Sequence, residues 1–173
     1  THSFASPWWS WPFMVYPSGR APLWLDVSYL PANMKSTIVL LGNPAVWWVG
    51  FVSVIGVSVF ALLKIVKSAG KKLGEVGLPA LFIGVFFFFQ WVPYMLISRV
   101  TFIYHFYVNV PFLCLASAYF ISKYWSSKWV KVAAVAYFAV VVAMFALFYA
   151  VISGLPASNE WIDSLKWFDS WVF

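Results

Sequence analysis

The sequence predicts an all-α integral membrane protein: four transmembrane helices, an aromatic and proline-rich interfacial loop before them, and an interfacial helix after them. Three observations predict this class. The 173 residues are 64% hydrophobic and only 9% charged, where a soluble domain carries about 25% charged residues, so the chain cannot cover its surface against water. Four apolar runs recur, each about the 20 residues that cross the hydrocarbon of a bilayer. The lysines sit in short clusters between those runs, as in the loops of membrane proteins. The net charge of +6 is therefore a loop signal. No basic stripe offers a surface for nucleic acid.

Residues 1–41 are expected to form an external interfacial loop. Pro7, Pro12, Pro17, Pro22 and Pro31 recur at a spacing that a continuous helix does not tolerate. Trp8, Trp9, Trp11 and Trp24 favour the membrane–water boundary, where the ring is apolar and the indole N–H stays wet. The segment either lies along the membrane or folds over a site, with His2, Trp8, Trp9 and Trp11 as its covering residues. The chain opens at Thr1 without an initiator Met or a signal-type start, which reads as a piece of something longer.

Residues 42–152 hold the four-helix membrane domain. Span one, about Val46 to Ile65, follows Gly42-Asn43-Pro44, with Pro where a first-turn N–H is free anyway. Trp47 and Trp48 anchor it, and Ser53, Gly56 and Ser58 permit close helix packing. Lys64, Lys67, Lys71 and Lys72 make a basic loop beside Glu75. Span two runs from about Leu78 to Ile97 and span three from about Phe102 to Ile121, joined by a tight turn at Ser98 to Thr101. Lys123, Lys128 and Lys131 form a second basic loop before span four, about Val132 to Ile152. In residues 153–173, Gly154-Leu155-Pro156 is a helix stop, and Trp161, Leu165, Phe168 and Trp171 have the spacing of an amphipathic helix on the membrane. The two loops carry seven basic residues, against Arg20, Lys35, Arg99 and Lys166 on the other side. By the positive-inside tendency the loops face the cytoplasm and both termini face outward. The lone cysteine, Cys114, lies inside a span and is expected to be a core thiol.

Polar groups enter the spans at helical spacing. Gln90, Tyr94 and Ser98 recur every four residues, as do Thr101, His105 and Asn109, and such residues share a helix face. Pro93 and Pro111 each free a carbonyl one turn earlier. The expectation is a polar crevice about 12 Å deep, at 1.5 Å per residue, opening outward with Arg99 at its rim. Arg99 is either a headgroup-snorkelling residue or a forked donor for a phosphate. His105 is either a packing residue or an acid–base group, and Tyr94, Tyr104 and Tyr107 are either interface anchors or ligands. The five acids, Asp26, Glu75, Glu160, Asp163 and Asp169, make no pair within a span. No metal cluster, nucleophile motif or glycine-rich phosphate loop is present. No catalytic residue is assigned within the chain.

Three ordered blocks carry a resemblance: His2-Ser3-Phe4-Ala5-Ser6-Pro7-Trp8-Trp9-Ser10-Trp11-Pro12, Leu41-Gly42-Asn43-Pro44-Ala45-Val46-Trp47-Trp48, and Arg99-Val100-Thr101-Phe102-Ile103-Tyr104-His105-Phe106-Tyr107 with Pro111-Phe112. Ser153-Gly154-Leu155-Pro156 and Trp167-Phe168 complete the set. Together they resemble the C-terminal four-span region of the protein O-mannosyltransferases over essentially the whole chain. Ser3 and Asn109 depart from the commonest pattern. The resemblance implies a GT-C enzyme that moves mannose from a polyprenyl (dolichyl) phosphate donor to Ser or Thr of an acceptor protein on the non-cytoplasmic face. It places the acidic catalytic loop in an N-terminal half that this chain lacks, so the chain alone is expected to be inactive. Arg99, Tyr104 and His105 match the family motif and, with Gln90, Tyr94 and Asn109, are the expected donor-binding residues. Implied partners are bilayer lipid, the lipid-linked sugar, and the N-terminal half or a partner membrane subunit. The absence of soluble sugar-binding modules points to the cell membrane of an archaeon or a bacterium. The alternatives are a non-catalytic membrane scaffold, a GT-C transferase of another sugar, and a small transporter, for which the inner halves of spans two and three lack polar residues.

Overall fold

The computed structural model describes residues 2–15, 23–68 and 74–173. Pro17, Arg20 and Pro22 of the first segment, and Lys71 and Lys72 of the first basic loop, lie outside the described residues. Among the described residues, four helical stretches are long and apolar enough to cross a membrane: Pro44–Lys67, Gly77–Leu96, Ile103–Lys123 and Lys128–Ser153. The chain is an all-α integral membrane protein with a small sheet added. Its residues sort into two compact units, Pro44–Pro93 with Val108–Val141, and Thr1–Asn43 with Tyr94–Tyr107 and Val142–Phe173.

The membrane-helix unit is built on α1 (Pro44–Ser68), α2 (Gly74–Trp91) and α3 (Val110–Lys123), with the first half of α4 (Lys128–Ser153). Small residues set the approach of the helices. A Cβ placed on Gly50 would lie 2.5 Å from the Cβ of Leu113, and one on Gly84 would lie 2.6 Å from Ser58 Oγ. Phe51 packs edge-on to Trp91, and Phe87 is fully buried beside both. Outward positions are apolar as well: Val52, Leu62, Phe89 and Val135 are exposed. That is the arrangement expected where the surrounding solvent is hydrocarbon. Cys114, expected in the core, is exposed on α3.

Spans two and three are not continuous α-helices. Pro93 has no N–H to give the carbonyl of Phe89, so α2 ends at Trp91 and the chain tightens into a 3-10 helix over Val92–Leu96. A second 3-10 helix, Ile103–Asn109, leads into α3, where Pro111 takes a first-turn position. This corrects the expected polar stripes. A 3-10 helix has about 3.0 residues per turn, so residues four apart point roughly 120° away from each other. His105 is half-buried, whereas Asn109 is fully buried.

The second unit holds a sheet that the proline-rich reading of residues 1–41 missed. β1 (Leu25–Leu30) and β2 (Met34–Val39) form an antiparallel hairpin in which Leu30 faces Met34. Ala32 and Asn33 turn it at φ of 60° and 58°, a left-handed conformation that Asn accepts more readily than Ala. A two-residue strand, β3 (Ala157–Ser158), pairs with the start of β2. β2 alternates, with Lys35, Thr37 and Val39 buried. Thr37 Oγ1 donates to the carbonyl of Val151 at 2.9 Å, Ser36 Oγ donates to that of Gly154 at 2.6 Å, and Gly154 N–H donates to Thr37 O at 2.9 Å. Gly154, at φ 79°, is the left-handed residue that ends α4.

The expected C-terminal helix is shorter than its spacing predicts. α5 covers only Asn159–Ser164, capped by Ser158 Oγ, which accepts from Trp161 N–H at 3.2 Å. Leu165, Phe168 and Trp171 follow outside it, and Trp171 is buried against Phe148 and Phe173. The indole of Trp171 donates to the carbonyl of Met14 at 2.7 Å.

Candidate functional site

The candidate site lies within the second unit and is assembled around His105. Trp8–Phe13 forms a 3-10 turn that buries Trp11 completely. Ser6, just before the turn, is tied to the segment after Arg99 by two hydrogen bonds to main-chain carbonyls. Ser6 N–H donates to Thr101 O at 2.9 Å, and Thr101 Oγ1 donates to Ser6 O at 2.9 Å. Ser6 Oγ accepts from the Trp11 indole N–H at 2.9 Å, which fixes the ring.

Trp11 then stacks on His105, with centroids 5.9 Å apart and planes 16° from parallel. Tyr104 stacks on the same imidazole at 4.4 Å, and Tyr94 lies at 5.2 Å. His105 Nδ1 sits 2.9 Å from Phe102 O and 3.2 Å from Phe102 N–H, so either tautomer finds a local partner there. Nε2 has no hydrogen-bond partner among the described residues. The imidazole is thus oriented by the chain and keeps one nitrogen for something else. Tyr104 is 44% exposed, so this aromatic cluster reaches the surface.

A second cluster surrounds His2. Its ring stacks on Trp24 at 5.2 Å and 18°, and meets Phe102 edge-on at 5.1 Å. Its Nδ1 accepts from Phe4 N–H at 3.2 Å, which leaves the ring proton on Nε2 in the neutral form. Phe102 also stacks on Tyr104, so both clusters share one aromatic wall. Arg99 is exposed and makes no hydrogen bond or ion pair with any described residue.

Of the expected residues, the structure brings together His2, Trp11, Tyr94, Tyr104 and His105, with Arg99 in the same unit. Trp8 is half-buried and Trp9 is 44% exposed on the same turn. Gln90 and Asn109 fall in the membrane-helix unit. Gln90 is exposed; Asn109 is fully buried, and neither amide atom finds a partner. Sequence reasoning left out Ser6, Trp24 and Phe102. Ser6 and Phe102 were signalled only by their place in the motif blocks, and Trp24 only as a boundary tryptophan, because a hydrogen bond between residues 95 positions apart leaves no local pattern. Among the described residues, no group of three His, Cys, Asp or Glu could hold a metal ion.

No curated protein and no solved structure matches the chain. One family does, described as the C-terminal four TMM region of protein-O-mannosyltransferase, and it matches residues 1–171. With that match over nearly the whole length, the chain belongs to the family of C-terminal four-span membrane regions of protein O-mannosyltransferases.

Proposed function

We propose that this chain is the donor-binding membrane part of a glycosyltransferase that moves mannose from a polyprenyl-phosphate donor to Ser or Thr hydroxyls of proteins. The observation that carries the reading is Arg99: an exposed guanidinium, unpaired among the described residues, six positions before an imidazole whose Nε2 is open. A guanidinium offers forked donors that match phosphate oxygens. A neutral imidazole with Nε2 protonated, or an imidazolium, adds one more donor.

The charge change of the reaction favours such a site. Mannosyl transfer breaks the bond between the sugar's anomeric carbon and a phosphate oxygen, and the electron pair stays on that oxygen. A phosphodiester of charge −1 becomes a monoester of charge −2, while the acceptor hydroxyl loses its proton to a base outside this chain. Arg99 therefore attracts the leaving phosphate more strongly as the bond breaks, which is the kind of interaction that accelerates a step. The positive-inside tendency puts Arg99 and both termini on the outer face, where an acceptor protein would be met. The N-terminal half of the enzyme, or a partner subunit, would supply the acidic base.

The test uses the full-length enzyme. Arg99→Ala should lower kcat/KM for polyprenyl-phosphate mannose by about tenfold or more, with a smaller loss for Arg99→Lys, which keeps charge but loses the fork. An unchanged kcat/KM in Arg99→Ala would sink the donor role. Unchanged transfer would also bring forward the scaffold reading.

A further inference from the structure

We infer that the membrane-helix unit carries a site for an anionic phospholipid, with an acyl chain in a groove between α3 and α4 and the headgroup on the lysines at its end. The groove encloses about 600 Å³, within the roughly 300–1,000 Å³ typical of sites for small ligands. Cys114, Ala118 and Ile121 line it along α3, and Tyr137, Phe138 and Val141 along α4.

The lining selects a hydrocarbon occupant. Along the groove Ser117 Oγ is already engaged, donating to Leu113 O at 3.2 Å and lying 3.4 Å from Ser53 Oγ, and most of the remaining lining is apolar. Little is left to hold water, which needs two or more polar partners. From Cys114 to Ser122 the α3 side extends about 12 Å along the helix axis at 1.5 Å per residue, a long, narrow shape suited to a single chain.

The open end selects the headgroup. Ser122 and Trp125 complete the lining there. Lys131 Nζ lies 5.6 Å from the Trp125 ring, and Lys128 Nζ lies 5.5 Å from the Trp129 ring. Lys123 follows Ser122 directly in the chain, with its ammonium 3.2 Å from the centre of the Phe60 ring. Among the described residues, both ion pairs use Asp163, in the other unit. Lysines at a membrane surface attract anionic headgroups, and indoles settle at the same depth. A phosphate held there places its acyl chain at the mouth of the groove. The two features together commit the site to a phospholipid of net negative charge.

The test is native mass spectrometry of the full chain taken from bilayers of equal phosphatidylglycerol and phosphatidylcholine. We expect phosphatidylglycerol to be retained preferentially, by about tenfold. Lys128→Glu with Lys131→Glu should abolish the preference, since each lysine near the surface contributes about a fivefold attraction. Ala118→Trp, which fills the groove and keeps every lysine, should reduce retained lipid of either kind. Equal retention of the two lipids by the unsubstituted chain overturns the proposal and requires no variant to fold. Preference persisting in the double lysine variant, or unchanged retention in a folded Ala118→Trp, overturns the headgroup or the groove assignment respectively.

Discussion

The indole of Trp11 lies over the imidazole of His105, 5.9 Å away between centroids and 16° from parallel. The first turn of the chain thereby orients a residue of the central motif. Trp11 is fully buried and its N–H is bound to Ser6, so the N-terminal segment is a fixed wall of the His105 cluster.

That arrangement makes Trp11→Phe informative. A smaller aromatic ring replaces the indole and the N–H is lost, leaving buried Ser6 Oγ without its donor. Thermal unfolding in detergent should show a loss of about 1–2 kcal/mol, the usual effect of unpairing one buried polar group. Trp11→Ala should cost about 3–5 kcal/mol, because a cavity is added.

His105→Ala in the full-length enzyme should weaken donor binding about tenfold, by removing one hydrogen bond to a charged group. His105→Gln should recover part of it if the bond to the phosphate comes from Nε2. Initial rates over a range of donor concentrations distinguish the two substitutions, and equal rates for Ala and the native residue would remove His105 from the site.

Lys35 and Asp163 join the hairpin to α5. The Lys35 ammonium is 2.7 Å from Asp163 Oδ1 and 3.0 Å from Phe173 O, with only 4% of its side chain exposed. Asp163→Ala should cost about 3 kcal/mol, because it leaves the buried Lys35 ammonium with only the Phe173 carbonyl. Lys35→Met, of similar shape, should be nearly neutral. Hydrogen bonds from Lys166 and Lys35 hold the Asp163 carboxyl below its ordinary range. A depressed carboxyl stabilises the fold above its unfolded value and loses that contribution as pH falls through the folded one. Stability should therefore drop below about pH 4, and less steeply in Asp163→Ala. Unfolding midpoints over an acid series measure both.

Gly50→Ala tests the packing of α1 on α3. The added methyl would sit 2.5 Å from Leu113 Cβ and 3.1 Å from the Leu113 main chain. Main chain cannot rotate away, so the helices must separate. A loss of about 1–3 kcal/mol is expected in detergent unfolding. Gly56→Ala meets only the ring edge of Phe120, at 3.1 Å, and should be milder.

Much of the architecture was legible because hydropathy is a sum over neighbours along the chain. Four spans, the glycine that stops α4 and the arginine in the loop after span two all show in local composition. The hairpin was also written locally, as alternation in Leu25-Asp26-Val27-Ser28-Tyr29 and a turn at Pro31-Ala32-Asn33. The density of Trp and Pro around it suggested an irregular segment instead. The tail failed in the opposite direction. Its three-and-four spacing was real, but the aromatic rings satisfy it by packing on one another after α5 ends.

The sequence by itself determined that this is a membrane protein and to which family it belongs, since both follow from residue types in order. Only the tertiary structure decided which residues meet. Pro93 and Pro111 each remove a backbone donor, and the chain beside them tightens from 3.6 to about 3.0 residues per turn. Spacing by four then no longer defines a face; Gln90 and Asn109 fall in one unit, and Tyr94 and His105 in the other. The neighbours that replaced them, Trp11 and Ser6, are distant in the chain, and long-range ring packing and hydrogen bonding have no period to read.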